Sequence, residues 1–208
     1  MSMDRQEGPS EQELIAMARK GDKAAFGELV RLHRRGVFAV VYRLCGDAAL
    51  AEDAAQEAFV RAWVNLHTYV PRSPWRNWLY RIAANVALDR LRSDNRRLAR
   101  TVSLDADGDE LAADQDGEPT RDSPCLAAAS EDGPAAQAER QELAEQVRLA
   151  VLALPPASRA VLVLREYEDF SYREIADALD IPLGTVMSRL NYARSVLRQR
   201  LAPLMEER

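Results

Sequence analysis

The sequence predicts an all-α protein: two helical domains joined by a flexible acidic linker, the second a helix-turn-helix domain. Three observations carry this. Apolar residues recur three or four apart through both halves of the 208-residue chain, with no alternating run of β-branched residues long enough for a strand. Between the halves, "SLDADGDELAADQDGEPTRDSPCLAAASEDGP" is rich in Asp, Gly, Pro, Ser and Ala and poor in large apolar groups, so it cannot offset the entropy of ordering itself. Near the end, "YREIADALDIPLGTVMSRLNYAR" carries two helical patterns across a break at Asp180 to Pro182. The expected boundaries are 10–98, 99–137 for the linker, and 138–205. A hydrophobic content of 47% is enough for packed interiors at these sizes.

In the first domain, Leu14, Ala18, Phe26, Leu29, Val30, Val37, Val41 and Leu44 form apolar stripes broken by "KGD" at Lys20 to Asp22. After "CGD" at Cys45 to Asp47, Leu50, Ala54, Phe59, Trp63 and Leu66 fall on one side of a helix, leaving Glu52, Asp53, Gln56 and Glu57 polar. A loop with Pro71 and Pro74 precedes "WRNWLYRIAANVALDRLRSDNRR", where Leu79, Ile82, Ala83, Val86 and Leu91 form the buried side and arginines crowd the rest. In the second domain, Leu143, Val147, Val151 and Leu154 mark a helix that Pro155 and Pro156 end, and a further helix runs through Val161 and Leu164. Ser171 and Glu174 fit a capping box that starts a helix at Tyr172 and ends near Asp180.

The net charge of −5 hides unlike segments. Residues 1–71 carry −1, 72–100 carry +6, 101–134 carry −9 and 135–208 carry −1. Within the last segment, Leu183 to Leu201 holds Arg189, Arg194, Arg198 and Arg200 and no acid. Positive charge is therefore gathered at two places, and both call for an anionic partner. Cys45 and Cys125 form no CxxC, and His33 and His67 are isolated, which points to a reduced compartment and no metal. No apolar run is long enough to span a bilayer and the first residues lack a signal-peptide pattern, so the expected location is the cytoplasm, without membrane insertion.

Ile175, Ala176, Leu179, Ile181, Val186 and Leu190 have the spacing that lets two short helices cross tightly, with Ala176 small where the second approaches. An ordinary helical hairpin with solvated arginines is the alternative, but the basic face lies on the second helix alone. On that helix Thr185, Met187, Ser188, Asn191 and Tyr192 are left exposed near its start, where base edges in a major groove are reached. Arg189, Arg194 and Arg198 suit phosphates, which position a domain without reading sequence.

Three ordered blocks, "AEDAAQEAFVRAW", "WRNWLYRIAANVALDRLR" and "LALPPASRAVLVLREYEDFSYREIADALDIPLGTVMSRLNYAR", resemble the bacterial RNA polymerase sigma factors of the extracytoplasmic-function group. The resemblance spans about residues 10–98 and 138–203. It implies that the first domain is sigma region 2 and the second region 4, that the chain binds core RNA polymerase and promoter DNA, and that it catalyses nothing and needs no cofactor. Carried over by position, Asp53, Gln56 and Glu57 match the polar face that docks on core polymerase. The arginine-rich helix and its preceding loop match the element that reads and opens the minus 10 region. There Arg72, Arg76, Arg81, Arg90 and Arg92 suit phosphates, Asn85 an extruded base and Trp75 a stacking surface. Trp78 and Tyr80 fit either core or base contact, and Leu79 and Ile82 fit packing. The helix-turn-helix matches the reader of the minus 35 region. An anti-sigma factor is a further partner implied by the family.

Two departures from the family pattern stand out: Met187 occupies a commonly basic position, and Asp180 one commonly glycine. The first weakens a phosphate or guanine contact and points to a different minus 35 preference. The second puts a residue with a Cβ where the left-handed conformation is needed. The long acidic linker suits either a solvated tether or a segment threading a basic channel of polymerase. Two other functions compete with this reading. A free-standing helix-turn-helix regulator needs a sensor or phosphoacceptor domain, which the arginine-rich first domain does not resemble. A nucleic-acid hydrolase needs a phosphate loop, metal cluster or acid-base set, and none is visible, so no small-molecule substrate is expected.

Overall fold

The computed structural model describes residues 9–104 and 134–206. Short polar punctuation sets the helix ends. Ser10 caps α1 (Glu11–Arg19) in a capping box: the Glu13 amide donates to Ser10 Oγ at 3.4 Å, and the Ser10 amide donates to the Glu13 carboxylate at 2.8 Å. In "KGD", Gly21 takes a φ of 95° and Asp22 accepts from the Ala24 and Ala25 amides at 2.9 and 3.1 Å, which starts α2 (Lys23–Cys45). Gly46 ends α2 in the left-handed conformation, and Asp47 then caps α3 (Ala48–Val64) through the Leu50 amide at 2.7 Å. A 3-10 turn (Leu66–Thr68) and the proline loop lead into α4 (Trp75–Leu104).

The remaining helices are α5 (Pro134–Leu152), α6 (Pro156–Glu166), α7 (Tyr172–Leu179) and α8 (Leu183–Glu206). Pro156 opens α6, where a missing amide hydrogen costs nothing. The Ser171–Glu174 capping box starts α7 as the sequence predicts, and Asp180 closes it at φ 51°. Helical backbone enters the expected linker range at both ends; residues 105–133, with Cys125, lie outside the described residues. Among the described residues there is no strand, and no helix is long and apolar enough to cross a membrane.

The buried face of α3 differs from the predicted stripe. Ala51, Ala54, Ala55, Ala58 and Ala62 are buried, while Leu50, Phe59 and Trp63 are half-buried at the margins. Small side chains let α3 press closely on α2 and α4, so the large residues are displaced sideways. The same economy of space governs Gly36 on α2, where a Cβ would lie 1.9 Å from the Tyr80 hydroxyl oxygen of α4. Tyr80 is itself buried and cannot simply swing out. Gly36→Ala should therefore destabilise the fold by about 2 kcal/mol, read as a lower urea midpoint, and Tyr80→Phe in the same chain should recover part of that loss.

In the second domain α6 is buried all round from Ser158 to Leu164, as befits a helix set between α7 and α8 of its own domain and α2 and α4 of the first. Leu143 is 38% exposed, so the predicted α5 stripe is buried only toward its end, at Val151 and Leu154. Of the small residues of α7 and α8, Ala178 and Ala193 are buried, while Ala176, expected at the crossing of the two helices, is half-buried beside a groove. The two domains also pack on each other. Helices α6 and α7 rest on α2 and α4, and buried residues of both domains form one apolar cluster.

Candidate nucleic-acid interface

The face of α8 follows from its packing. Val186, Leu190 and Ala193 turn inward, so Gly184, Met187, Ser188, Asn191, Tyr192, Ser195 and Arg198 turn outward along one side. Of the residues expected to meet bases, Met187, Ser188, Asn191 and Tyr192 are exposed and Thr185 is half-buried. Ser188 donates to the Thr185 carbonyl at 3.1 Å, and the Thr185 amide donates to the Pro182 carbonyl at 2.9 Å, which fixes the first turn. Arg198 is exposed and Arg189 half-buried. Arg194 differs: it donates twice to Glu166 of α6, at 2.6 and 3.1 Å, and that carboxylate raises the guanidinium's already high pKa. In this arrangement Arg194 braces α8 on α6.

Along α4, Asn77, Arg81 and Asn85 are spaced four apart and share a face. Arg72 lies exposed in the preceding loop, and Arg76, Arg81 and Arg92 are exposed on the helix. Arg81 lines a groove with Ala176, Asp177, Asp180, Ile181 and Pro182. Asn85 donates to the carbonyls of Arg81, at 3.0 Å, and of Ala178 on α7, at 2.9 Å. The stacking expected of Trp75 is corrected for this arrangement. Its ring is 3% exposed, edge-on to Tyr69 with centroids 5.1 Å apart and 4.9 Å from Trp78, so it is core. The more accessible indole is Trp78, which is half-buried.

On α3, Asp53 and Gln56 are exposed, while Glu57 is engaged. It accepts from Arg90 of α4 at 2.6 and 3.0 Å and from Arg61 at 2.6 Å; Arg61 and Arg92 both reach Asp89, at 3.4 and 3.3 Å. The Arg90 guanidinium, with Arg61 beside it, holds the Glu57 carboxyl below the usual carboxylate range. Expected polymerase-facing and DNA-facing residues are thus joined in one ion-pair network across α3 and α4.

Asn77, Arg43 and Glu168, which no sequence pattern singles out, join Arg76 and Glu174 in contacts beside α4. Asn77 donates to Glu174 at 2.6 Å, Arg76 to the Glu168 backbone carbonyl at 2.9 Å, and Arg43 of α2 to the Glu168 carboxylate at 3.3 Å. Glu168 is 7% exposed, and burial pushes its carboxyl pKa up against the pull of Arg43 and Arg76. The spacing of Asn77 from Asn85, eight residues or two steps of four through Arg81, is the signal that places it on this face; nothing local marks Glu168.

Comparison with known proteins adds a separate line. Residues 29–97 match the model of Sigma-70 region 2, and residues 144–197 match that of Sigma-70, region 4. The chain is 34% identical over 192 residues to the ECF RNA polymerase sigma factor SigW of Bacillus subtilis, covering 91% of this chain and 96% of SigW. Among solved structures it is similar to CnrH in complex with the cytosolic domain of CnrY, with a TM-score of 0.60 at 26% identity, covering 94% of this chain and 99% of CnrH. It also shares its fold with the sigma factor RpoE in complex with the anti-sigma factor NepR from Bartonella quintana, at TM-score 0.60 and 20% identity, covering 85% of this chain and 96% of RpoE.

Proposed function

The chain belongs to the extracytoplasmic-function RNA polymerase sigma factors of the sigma-70 family, and from that premise we propose how its surfaces divide the work of promoter-directed initiation. Such proteins are DNA-binding initiation factors rather than catalysts, and the free-standing regulator is not favoured. The observation that carries the reading is the ordered match to region 2 and region 4 in one chain, with a relative alike along 91% of its length.

Residues 10–98 work as region 2, 138–205 as region 4 and 99–137 as the connection between them. Asp53 and Gln56, with Glu57 at their edge, meet basic groups of core RNA polymerase. Arg72, Arg76, Arg81 and Arg92 meet phosphates of the minus 10 region, Arg90 acts from behind through Glu57, and Asn85 holds a base taken out of the stack. On α8, Met187, Ser188, Asn191 and Tyr192, with Thr185 at the first turn, read the minus 35 region, while Arg189 and Arg198 hold its phosphates. Linking two weak readers in one chain raises their effective concentration for each other's site, and polymerase fixes their spacing. The chain supplies no catalysis and takes no cofactor. It acts in the cytoplasm and is restrained by an anti-sigma factor, the kind of partner with which RpoE was solved.

Asn191→Ala should relax discrimination at one minus 35 position by about 1–3 kcal/mol, whereas Arg198→Ala should weaken all promoters alike and lower the salt slope by about one. Competition binding of holoenzyme to promoter variants separates the two. The decisive experiment is transcription by core polymerase plus this chain on a genomic fragment library, with start sites sequenced. Shared upstream sequence at two spaced positions is expected. Starts no more selective than those of core enzyme alone would overturn the reading.

A further inference from the structure

The outward face of α8 begins apolar. Leu183 and Met187 are 40% and 45% exposed, and with Asn191 they stand four residues apart, one above the next along one edge of that face. Tyr192 is exposed on the opposite edge, beside Ser188. From Leu183 to Ser188 there is no charged side chain. The first cation, Arg189, is half-buried, Arg194 is engaged by Glu166, and Arg198 stands about three turns beyond Met187. Gly184 lies between the two edges, and a Cβ there would meet nothing within 4 Å. Packing inside the chain therefore does not call for glycine at this position, although glycine in a helix costs stability relative to alanine. It leaves bare backbone beside Met187, where a base edge can come within reach of that side chain.

Each base pair presents different chemistry in the major groove. The two acceptors of guanine are met best by a guanidinium or an ammonium group, and neither occurs among the exposed positions from Leu183 to Tyr192. Thymine alone offers an apolar feature, its C5-methyl group, and adenine offers the donor and acceptor pair that an amide matches. We propose that Met187, with Leu183 beside it, is a specificity determinant that seats a thymine methyl group of the minus 35 element, while Asn191, one turn on, pairs with an adjacent adenine. The inference rests on the assignment of α8 to the minus 35 region and adds which bases that helix selects. An unbranched thioether suits the task because it adapts to the shape it meets. The base contacts then contain no cation, and Arg189 and Arg198 are left to phosphates. A protein partner covering the same apolar edge is the competing occupant, and it predicts no sensitivity to a methyl group on DNA.

The probe is a duplex promoter, mapped with reconstituted holoenzyme, in which each thymine of the minus 35 region is replaced in turn by uracil. That change removes one methyl group and leaves every hydrogen-bonding edge as it was. At one or two positions uracil should weaken holoenzyme binding about fourfold, the worth of one buried methyl group. Holoenzyme carrying Met187→Ala should bind the thymine duplex more weakly by a similar factor and should bind the thymine and uracil duplexes alike. Met187→Leu, which keeps an apolar side chain of similar size, should keep the discrimination. Met187 is exposed, so Met187→Ala should leave the urea midpoint of the free chain unchanged. A minus 35 element without a shared thymine overturns the proposal, as does Met187→Ala holoenzyme that still tells thymine from uracil. So does weaker binding by Met187→Ala with uracil tolerated at every position, which assigns the apolar edge to a protein partner. Failure of the α8 assignment itself shows separately, as holoenzyme indifferent to both Asn191→Ala and Arg198→Ala.

Discussion

Asn85→Ala should leave initial promoter engagement by the holoenzyme within about twofold and lower open-complex formation by about tenfold to a hundredfold. The size follows from the amide: paired contacts to a base edge are worth about 1–3 kcal/mol, and about 1.4 kcal/mol is a factor of ten. In the proposed division of work, initial engagement rests on α8 and on phosphate contacts, and Asn85 is assigned to neither. Strand opening requires that an unstacked base be held more favourably outside the stack than within it, and in the function proposed above Asn85, half-buried on α4 one turn from Arg81, is the amide assigned to hold it. Permanganate reactivity of thymines in the minus 10 region measures the opened fraction directly. The same substitution also removes the bond to the Ala178 carbonyl, so it loosens the contact between α4 and α7 in the free chain while impairing the open complex. Engagement kept while opening falls separates loss of a base contact from general misfolding, which would depress both. Unchanged permanganate reactivity would remove Asn85 from the melting step.

Much of the fold was legible because it is written in local chemistry. The Ser171–Glu174 box, the prolines before α6 and the Asp180 break each act within a few residues, and all appear where the pattern puts them. What escaped was set by neighbours distant in sequence. Periodicity weighs large apolar residues, so it missed an α3 face made of alanine, where packing selects for smallness. Arginine on an exposed face reads as a phosphate contact, yet Arg90 found Glu57 and Arg194 found Glu166, each on another helix. Trp75 beside a loop reads as a stacking surface; Tyr69 and Trp78 closing around it made it core. The docking of the second domain on α4 is hard to read from the sequence, because two of its polar contacts are side chains to backbone carbonyls, which any residue supplies, and the rest join residues more than ninety positions apart.

Arg159→Met should destabilise the folded chain by about 3 kcal/mol, the largest stability loss expected from one surface-neutral change in side-chain volume. Arg159 is buried on α6, and its guanidinium donates to the carbonyls of Leu44 at the end of α2, of Leu152 at the end of α5 and of Leu154 in the turn that follows, the last at 3.0 Å. Helix ends leave carbonyls without intrahelical partners, and here one planar fork serves two of them, from two helices, and a third in the turn after α5. Two effects oppose each other on removing it. Burial disfavours the cation, lowering its pKa, so its loss relieves a desolvation cost. Against that, three carbonyls are left in the interior without a donor, at about 1–3 kcal/mol each, and the contact that ties α6 to α2 disappears. The second effect outweighs the first because methionine fills the space without replacing any hydrogen bond. Arg159→Lys should fall between the two: it keeps the charge but lacks the fork that reaches both helix ends. Urea unfolding followed by circular dichroism measures the order arginine, lysine, methionine. A methionine variant as stable as the arginine chain would mean that water can replace all three bonds, and that α6 is held to α2 by its apolar contacts alone.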